Sequence, residues 1–167
     1  AHAQITCEQV GGDLFVTGTD EADDVVVSAG SNHNVFVMDV VAQVSWEFSG
    51  VDKVWVLTGD GADNLRLANR GGTVDMYADT GNDPDTVDSR VSWPTYEPTV
   101  EISTGNGDDY VYSDVRDQSG DYDTAHIDID TGNGDDRVIN KVYYSDYSTV
   151  NIVTGNGVDN VDFCSDD

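Results

Sequence analysis

The phrase TGNGDDYVYS occupies residues 104–113, and close copies occur as TGNGDDRVIN at residues 131–140 and as TGNGVDNVDF from residue 154. Related phrases occur earlier in the chain, so a first glycine can be assigned to six units. These glycines are Gly18, Gly59, Gly81, Gly105, Gly132 and Gly155. From Gly59 onward they are 22, 24, 27 and 23 residues apart, and a period of this length is typical of proteins built from stacked repeats.

The interval of 41 residues between Gly18 and Gly59 is nearly twice the others. Inside it, the segment VFVMDVVAQVSWEF at residues 35–48 alternates apolar and polar residues like the other units but lacks their glycines. We interpret this segment as a degenerate seventh repeat. The predicted repeats lie near Gly18, Val40, Gly59, Gly81, Gly105, Gly132 and Gly155, in a single domain over residues 1–167.

Each unit reads as a strand, a tight glycine turn and a second strand. Val100, Ile102 and Thr104 alternate with polar residues before the turn, and Val111 and Val115 do so after it. This is the period of a strand and not of a helix. Two columns of inward-facing residues are therefore predicted, Val54, Met76, Val100, Ile127 and Val150 in one and Leu65, Val87, Val111, Val138 and Val161 in the other.

Two short strands cannot bury their apolar face alone, so the repeats must stack on one another about 4.8 Å apart. The sequence therefore predicts an all-β fold, a right-handed parallel β-helix of about seven layers. An antiparallel β-sandwich also consists of short alternating strands and is the alternative. It gives no reason, however, for the turn sequence to repeat.

The charge of the chain narrows the choice of partners. The 167 residues include 33 acids and 7 bases, for a formal net charge of −26. Nucleic acids and anionic membrane surfaces would repel such a chain, so we expect no nucleic-acid partner. No apolar run approaches the roughly 18 residues of a membrane span, so we expect no membrane insertion.

The turn phrase reduces to G-x-G-x-D followed two residues later by Val or Leu. Its glycines permit backbone conformations that point successive carbonyls to one side of the turn. Carbonyl and carboxylate oxygens are the ligands that Ca²⁺ takes in groups of six to eight. Stacked aspartates about 4.8 Å apart would also repel one another by roughly 3–4 kcal/mol at an effective dielectric constant of about 20 unless something offsets their charge.

The sequence therefore predicts calcium sites between neighbouring turns. The predicted ligands are Gly59, Gly61, Asp63, Asp85, Gly105, Gly107, Asp108, Asp109, Gly132, Gly134, Asp135, Asp136, Gly155, Gly157 and Asp159. The alternative is that each aspartate accepts backbone N–H groups, as aspartates in tight turns often do. In that case no cation is needed.

The turn phrase resembles the calcium-binding repeat of the RTX (hemolysin-type) family. The run GGDLFVTGTDEADDVVVS at residues 11–28 resembles the degenerate β-helical segments of large secreted bacterial proteins. The resemblance implies a secreted or cell-surface location on a bacterium, and calcium held by Asp63, Asp109, Asp136 and Asp159 together with the neighbouring glycine carbonyls. This chain has threonine where the family has its leading glycine, and one glycine turn per period, which predicts a single column of calcium ions.

A threonine precedes the first glycine in every unit, at Thr17, Thr58, Thr80, Thr104, Thr131 and Thr154. A flat threonine ladder on a solenoid would suggest ice binding. These threonines share the parity of the inward-facing valines and isoleucines, however, so we expect them to point inward and stack at the corner. Cys7 and Cys164 are expected to lie near opposite ends of the stack as unpaired thiols, too far apart for a disulfide.

Three consecutive units insert residues on the other side of the predicted helix, at 90–99, 116–125 and 141–149. Insertions on one edge of a solenoid often form its binding face. The candidate ligand-binding residues are Trp93, Tyr96, Tyr122, Tyr143, Tyr144 and Tyr147, a composition suited to a glycan or a cell-surface protein. The alternative is that these aromatic residues only cover the edge of the core.

These observations predict a non-enzymatic structural or adhesive module that calcium stabilises. A carbohydrate-active β-helix enzyme similar to a polysaccharide lyase is the alternative, and an ice-binding solenoid is a more distant one. A lyase needs a basic residue above its acids. The seven bases of this chain are scattered, and no pair falls at the same place in neighbouring units.

Overall fold

A computed structural model describes residues 4–92, 97–116, 124–143 and 148–166. Within these ranges the chain is all-β apart from one short 3-10 helix, Ser31–His33. The strands are β1 (Thr6–Val10), β2 (Asp13–Thr17), β3 (Asp24–Ala29), β4 (Asn34–Asp39), β5 (Val44–Ser49), β6 (Lys53–Leu57), β7 (Asn64–Arg70), β8 (Asp75–Asp79), β9 (Thr86–Ser92), β10 (Thr99–Ser103), β11 (Tyr110–Arg116), β12 (His126–Asp130), β13 (Arg137–Tyr143), β14 (Thr149–Val153) and β15 (Asn160–Asp166).

The strands form two sheets. Sheet A has the order β1-β2-β6-β8-β10-β12-β14, and sheet B has the order β15-β13-β11-β9-β7-β3-β4-β5. From β6 onward each glycine turn joins a strand of sheet A to a strand of sheet B, and the chain then returns to sheet A one step further along. All neighbours in this part are parallel. The structure is therefore a stack of parallel coils that resembles a β-solenoid of about four turns.

Both predicted inward columns are confirmed by the strand register. Val54, Met76, Val100, Ile127 and Val150 are successive partners in sheet A. Leu65, Val87, Val111, Val138 and Val161 are successive partners in sheet B. All are fully buried except the last residue of each column, which belongs to the last layer. The core therefore lies between the two sheets, and β-branched side chains, which suit a pleated buried surface, supply most of it.

The segment that we predicted as a degenerate repeat is not a parallel layer. It forms β4 and β5, which are antiparallel to each other, and β4 is antiparallel to β3. Alternation of apolar and polar residues is the same in parallel and antiparallel strands, so the pattern could not separate the two arrangements. The predicted count of seven layers is therefore not confirmed, since six strands run parallel in each sheet.

The two cysteines are unpaired, as predicted. Cys7 lies in β1, partly buried against the core, and Cys164 is exposed in β15. These strands are at opposite ends of the stack. Among the described residues, no helix is long and apolar enough to cross a membrane.

Candidate functional site: the glycine-turn column

The glycines of the turn are required by the stacking. Gly105 and Gly134 have φ values of 83° and 148°, which residues with a side chain rarely adopt. A Cβ atom at Gly134 would also overlap the carbonyl oxygen of Gly107 in the neighbouring layer. The turn at residues 81–87 reads GNDPDTV and is damaged, since it has lost its second glycine. Asp83 occupies that position and keeps a positive φ of 83°.

The residue between the two glycines forms a ladder of its own. The backbones of Asp60, Asn82, Asn106, Asn133 and Asn156 pair in parallel from layer to layer. Their side chains also connect, since each asparagine Nδ2 donates to the side-chain oxygen of the preceding layer at 2.6–2.9 Å. This ladder was not predicted from the sequence, although the repeated Asn at one turn position is a visible signal for it.

The turn aspartates form the predicted column, and the structure shows what their first oxygen does. The column comprises Asp23, Asp63, Asp85, Asp109, Asp136 and Asp159. In each successive pair the Oδ1 atom accepts the backbone N–H of the aspartate in the preceding layer, at 2.7–3.1 Å. The alternative of carboxylates that accept backbone N–H groups therefore describes Oδ1 in this structure.

Asp23 is a member of the column that sequence analysis did not include. Counting forward from Gly18 gives the first turn one residue too many. The register pairs Thr17 with Leu57 and Asp24 with Asn64, so both turns have the same length. Gly18 is therefore equivalent to Thr58 and not to Gly59. Val25 is equivalent to Leu65, so counting two residues back from Val25 would have identified Asp23 as the equivalent of Asp63.

The second carboxylate oxygen is less well satisfied. Asp109 Oδ2 accepts a hydrogen bond from Thr104 Oγ1 at 2.6 Å. The Oδ2 atoms of Asp63, Asp85 and Asp136 are buried and have no hydrogen-bond partner among the described residues. The column thus contains buried carboxylate oxygens whose charge is only partly offset.

Burial is the largest influence on the pKa of three aspartates of this column. It raises the pKa of the Asp85 carboxyl to about 7. The nearby Thr80 hydroxyl, which does not meet hydrogen-bond geometry, and the backbone N–H of Asp63, which donates to Asp85 Oδ1, only partly offset that rise. Burial likewise raises the pKa of Asp63 and of Asp109.

The threonines Thr58, Thr80, Thr104 and Thr131 are buried beside the column, as predicted from their parity. Thr154, in the last layer, is partly buried. The prediction is wrong for Thr17, which is exposed because the register pairs it with Leu57 and not with Thr58. Thr104 donates its hydroxyl to Asp109 and Thr58 donates its hydroxyl to the Thr80 carbonyl, so the buried threonines do not form a flat outer surface.

The structure separates the predicted ligands into two sets. Asp63, Asp85, Asp109 and Asp136 are buried inside the turn column. Asp108 and Asp135 are exposed, and Asp108 Oδ1 accepts the backbone N–H of Asp135 at 2.9 Å. The two neighbouring aspartates of a GNGDD phrase therefore point to different environments.

The glycine carbonyls are already engaged between layers. The carbonyl oxygens of Gly81, Gly105 and Gly132 accept the backbone N–H groups of Asn106, Asn133 and Asn156 at 2.8–3.2 Å. Within the ranges that the structure describes, no three His, Cys, Asp or Glu side chains converge closely enough to hold a metal ion. A cation here would need backbone carbonyl oxygens in addition to the buried Oδ2 atoms.

The predicted edge-loop site falls largely outside the described residues. This applies to Trp93, Tyr96, Tyr122, Tyr144 and Tyr147. Tyr143 is described at the end of β13, where it is partly buried and the guanidinium carbon of Arg116 lies 5.3 Å from its ring centroid. The binding face proposed for these loops stays a prediction.

Comparison with known proteins identified no relative: no family model, no curated protein and no solved structure matches this chain. The resemblance to RTX repeats therefore depends on the glycine phrases alone and also stays a prediction.

Proposed function

We propose that this chain is a non-enzymatic β-solenoid module of the bacterial cell surface or secreted fraction, with a structural or adhesive role, and that Ca²⁺ stabilises its turn column. The observation that carries the proposal is the buried Oδ2 atom without a hydrogen-bond partner in Asp63, Asp85 and Asp136. We also propose that the coil is right-handed, because parallel crossover connections are right-handed in nearly all proteins.

The energetic argument concerns charge that is buried and repeated. Each Oδ1 atom gains one backbone N–H, but a full negative charge taken out of water needs more compensation than one hydrogen bond provides. Neighbouring carboxylates also repel, since consecutive layers of a sheet are only about 4.8 Å apart. A divalent cation between layers would offset two charges and link two turns.

Part of the ligand set fits such a cation. The Oδ2 atoms of Asp63, Asp85 and Asp136 would supply the carboxylate oxygens, and the turn carbonyls would supply the remainder. When bound, calcium would provide positive charge and a link between layers. The protein itself supplies the rigid spacing, because each Oδ1 atom stays hydrogen-bonded to the neighbouring turn.

A structural role agrees with how the bases are used. Arg90 pairs with Asp88 at 2.8 Å and Arg116 pairs with Asp114, both within one strand of sheet B. Arg137 lies 3.4 Å from Asp162 on the neighbouring strand. Of these partners Asp114 is itself buried, but none belongs to the turn column. These arginines therefore do not stand over the column as a proton acceptor would.

The test is thermal unfolding in EDTA, in excess Ca²⁺ and in excess Mg²⁺. Calcium should raise the melting temperature by mass action on the folded state, and magnesium should do so less because it demands a stricter octahedral geometry. Asp85→Asn should reduce the gain, whereas Asp162→Asn, an exposed aspartate of sheet B, should leave it unchanged. Equal melting temperatures in EDTA and in calcium would rule out the calcium part of the proposal.

A further inference from the structure

The outer face of sheet A carries a groove that none of the predicted sites includes. One row of its lining comprises Trp55, Tyr77, Glu101, Asp128 and Asn151, which are successive partners in the strand register. The groove runs from β6 to β14 and has a volume of about 500 Å³. It is therefore an elongated surface that crosses five strands along the axis of the stack.

Two stacked aromatic side chains line one end of this groove. The rings of Trp55 and Tyr77 are stacked, with centroids 4.2 Å apart and an angle of 13° between their planes. Trp55 covers one face of the Tyr77 ring, and the neighbour of Tyr77 on the other side in the register is Glu101. The second face of the Tyr77 ring is thus turned toward the acidic part of the groove.

The rest of the groove is negatively charged. Glu101 and Asp128 are direct partners on neighbouring strands, so their like charges repel each other. Neither makes an ion pair within the described part of the chain. Among the residues that the structure describes, no lysine or arginine lines the groove, and Asp79 and Asp130 add further carboxylates along it.

We propose that this groove binds an extended basic segment of a partner protein. A lysine or arginine side chain between Glu101 and Asp128 would offset their repulsion, and a second one could lie on the Tyr77 ring as a cation–π pair. Lys53 Nζ already lies 5.9 Å from the centroid of that ring. Five strands span about 19 Å at the spacing of a sheet, which corresponds to roughly six residues of extended polypeptide.

The negative charge of the groove favours a basic segment over a neutral or an anionic ligand. A neutral glycan would stack on the aromatic residues but would leave the two facing carboxylates uncompensated, and an anionic ligand would be repelled. The inference rests on the adhesive part of the proposed function and not on calcium. Because Trp55, Tyr77 and Glu101 lie outside the glycine turns, peptide binding and calcium stabilisation can fail independently of each other.

The experiment measures binding of octalysine by isothermal titration calorimetry, at physiological salt and in EDTA so that calcium cannot contribute. Octa-(ε-acetyl)lysine of the same length is the neutral control, and cellohexaose tests the glycan alternative. We expect octalysine to bind and the two neutral probes not to bind. Binding by cellohexaose alone, or no binding of octalysine, overturns the proposal.

Matched variants locate the site. The double variant Glu101→Gln/Asp128→Asn should weaken octalysine binding by about tenfold, because two charge-assisted contacts are lost. The control Glu47→Gln/Asp162→Asn removes the same charges at exposed strand positions of sheet B and should weaken binding by less than about twofold. Equal losses in the two double variants would show diffuse attraction by the net charge and would overturn the proposal. Tyr77→Ala should cost about threefold to fivefold, with folding of each variant verified by its melting temperature.

Discussion

The two ends of the stack are built differently. At one end, β1 covers sheet A and the β4–β5 hairpin extends sheet B, both by antiparallel pairing. Ile5 and Val37 are buried there, at 2% and 0% exposed. At the other end, β14 and β15 are the last strands of their sheets, and Val161 and Phe163 are 44% and 58% exposed.

The difference shows that burial depends on a neighbour rather than on the residue. Val138 and Val161 are the same amino acid in the same inward column, and only Val161 has a layer on one side alone. The antiparallel strands also interrupt the turn column, because β4 carries no glycine turn and the ladder of turn aspartates ends at Asp23. The antiparallel strands therefore have two effects: they cover the core, and they end the repeat.

The largest effect is expected from a side chain placed inside the stacked turns. Gly134→Ala adds a Cβ atom that overlaps the Gly107 carbonyl at a φ of 148°, so we expect a loss of about 3 kcal/mol or more in the free energy of unfolding. Gly11→Ala is the matched control in the turn between β1 and β2. It also has a positive φ, of 63°, but open space around it, and it should cost about 1 kcal/mol.

Urea denaturation of both variants measures this difference. Comparable losses for Gly134→Ala and Gly11→Ala would mean that the stacked turns tolerate separation, and that the close approach of layers does not determine the stability of the repeat.

The next effect compares the two ends directly. Val37→Ala removes two methyl groups from a fully buried site in the hairpin, and we expect a loss of about 2 kcal/mol. The identical change Val161→Ala, in the half-exposed last layer, should cost about 0.5 kcal/mol. Melting temperatures of the two variants test the comparison, and it would be contradicted if Val161→Ala were the more damaging change.

Much of this architecture could be predicted from the sequence because its signals are local and repeated. The alternation of residues gave the strands, and the spacing of the glycine phrases gave the correct partners for Val100 and Val111. The parity of Thr104 gave its inward direction. In each case one residue type recurs at one position of the layer, so that several copies support the same conclusion.

The rest depended on information that a single sequence pattern does not carry. The direction of β4 is set by how the chain turns between Ala29 and Asn34, where Asn32 and His33 adopt φ values of 65° and 58°, and not by its apolar residues. The roles of the two carboxylate oxygens were equally hidden. A phrase such as GNGDD states which residues are acidic but not which hydrogen bonds Asp109 accepts from its neighbours.

The free energy of unfolding should depend on pH because of the layers between the two ends. We expect this dependence in EDTA. The pKa of Asp85 is raised by burial to about 7 in the folded protein, from an ordinary value of 3.8. The folded state therefore keeps a proton that the unfolded chain has released. The stability that this proton provides is fully present below about pH 4 and is lost as the pH rises toward 7.

Urea denaturation at pH 5 and at pH 8 checks the sign. The protein should be less stable at pH 8, and Asp85→Asn should reduce the difference because the amide oxygen can accept the same backbone N–H without a charge. Glu101→Gln, which removes an exposed charge opposite Asp128 in sheet A, is the surface control for the general repulsion between acids. A protein that gained stability between pH 5 and pH 8 would contradict the assignment of a buried Asp85 that keeps its proton.

The smallest effect concerns the damaged turn within the stack. Asp83 holds a φ of 83° at a position where other turns have glycine, and its charge contributes to the raised pKa of Asp63. Asp83→Gly should therefore stabilise the protein by about 0.5–1 kcal/mol, after the greater freedom of glycine in the unfolded chain is subtracted.

Gln43→Gly is the matched change in the β4–β5 hairpin, called the covering hairpin here because it covers one end of the core. The φ of 57° at Gln43 lies in the left-handed region that side chains tolerate better. The side-chain amide of Gln43 also donates a hydrogen bond to the Val40 carbonyl. Gln43→Gly should give no gain, because the lost hydrogen bond offsets the relief of strain. If differential scanning calorimetry showed Gln43→Gly to be the more stabilising change, the strain would lie in the covering hairpin and not in the damaged turn of the stack.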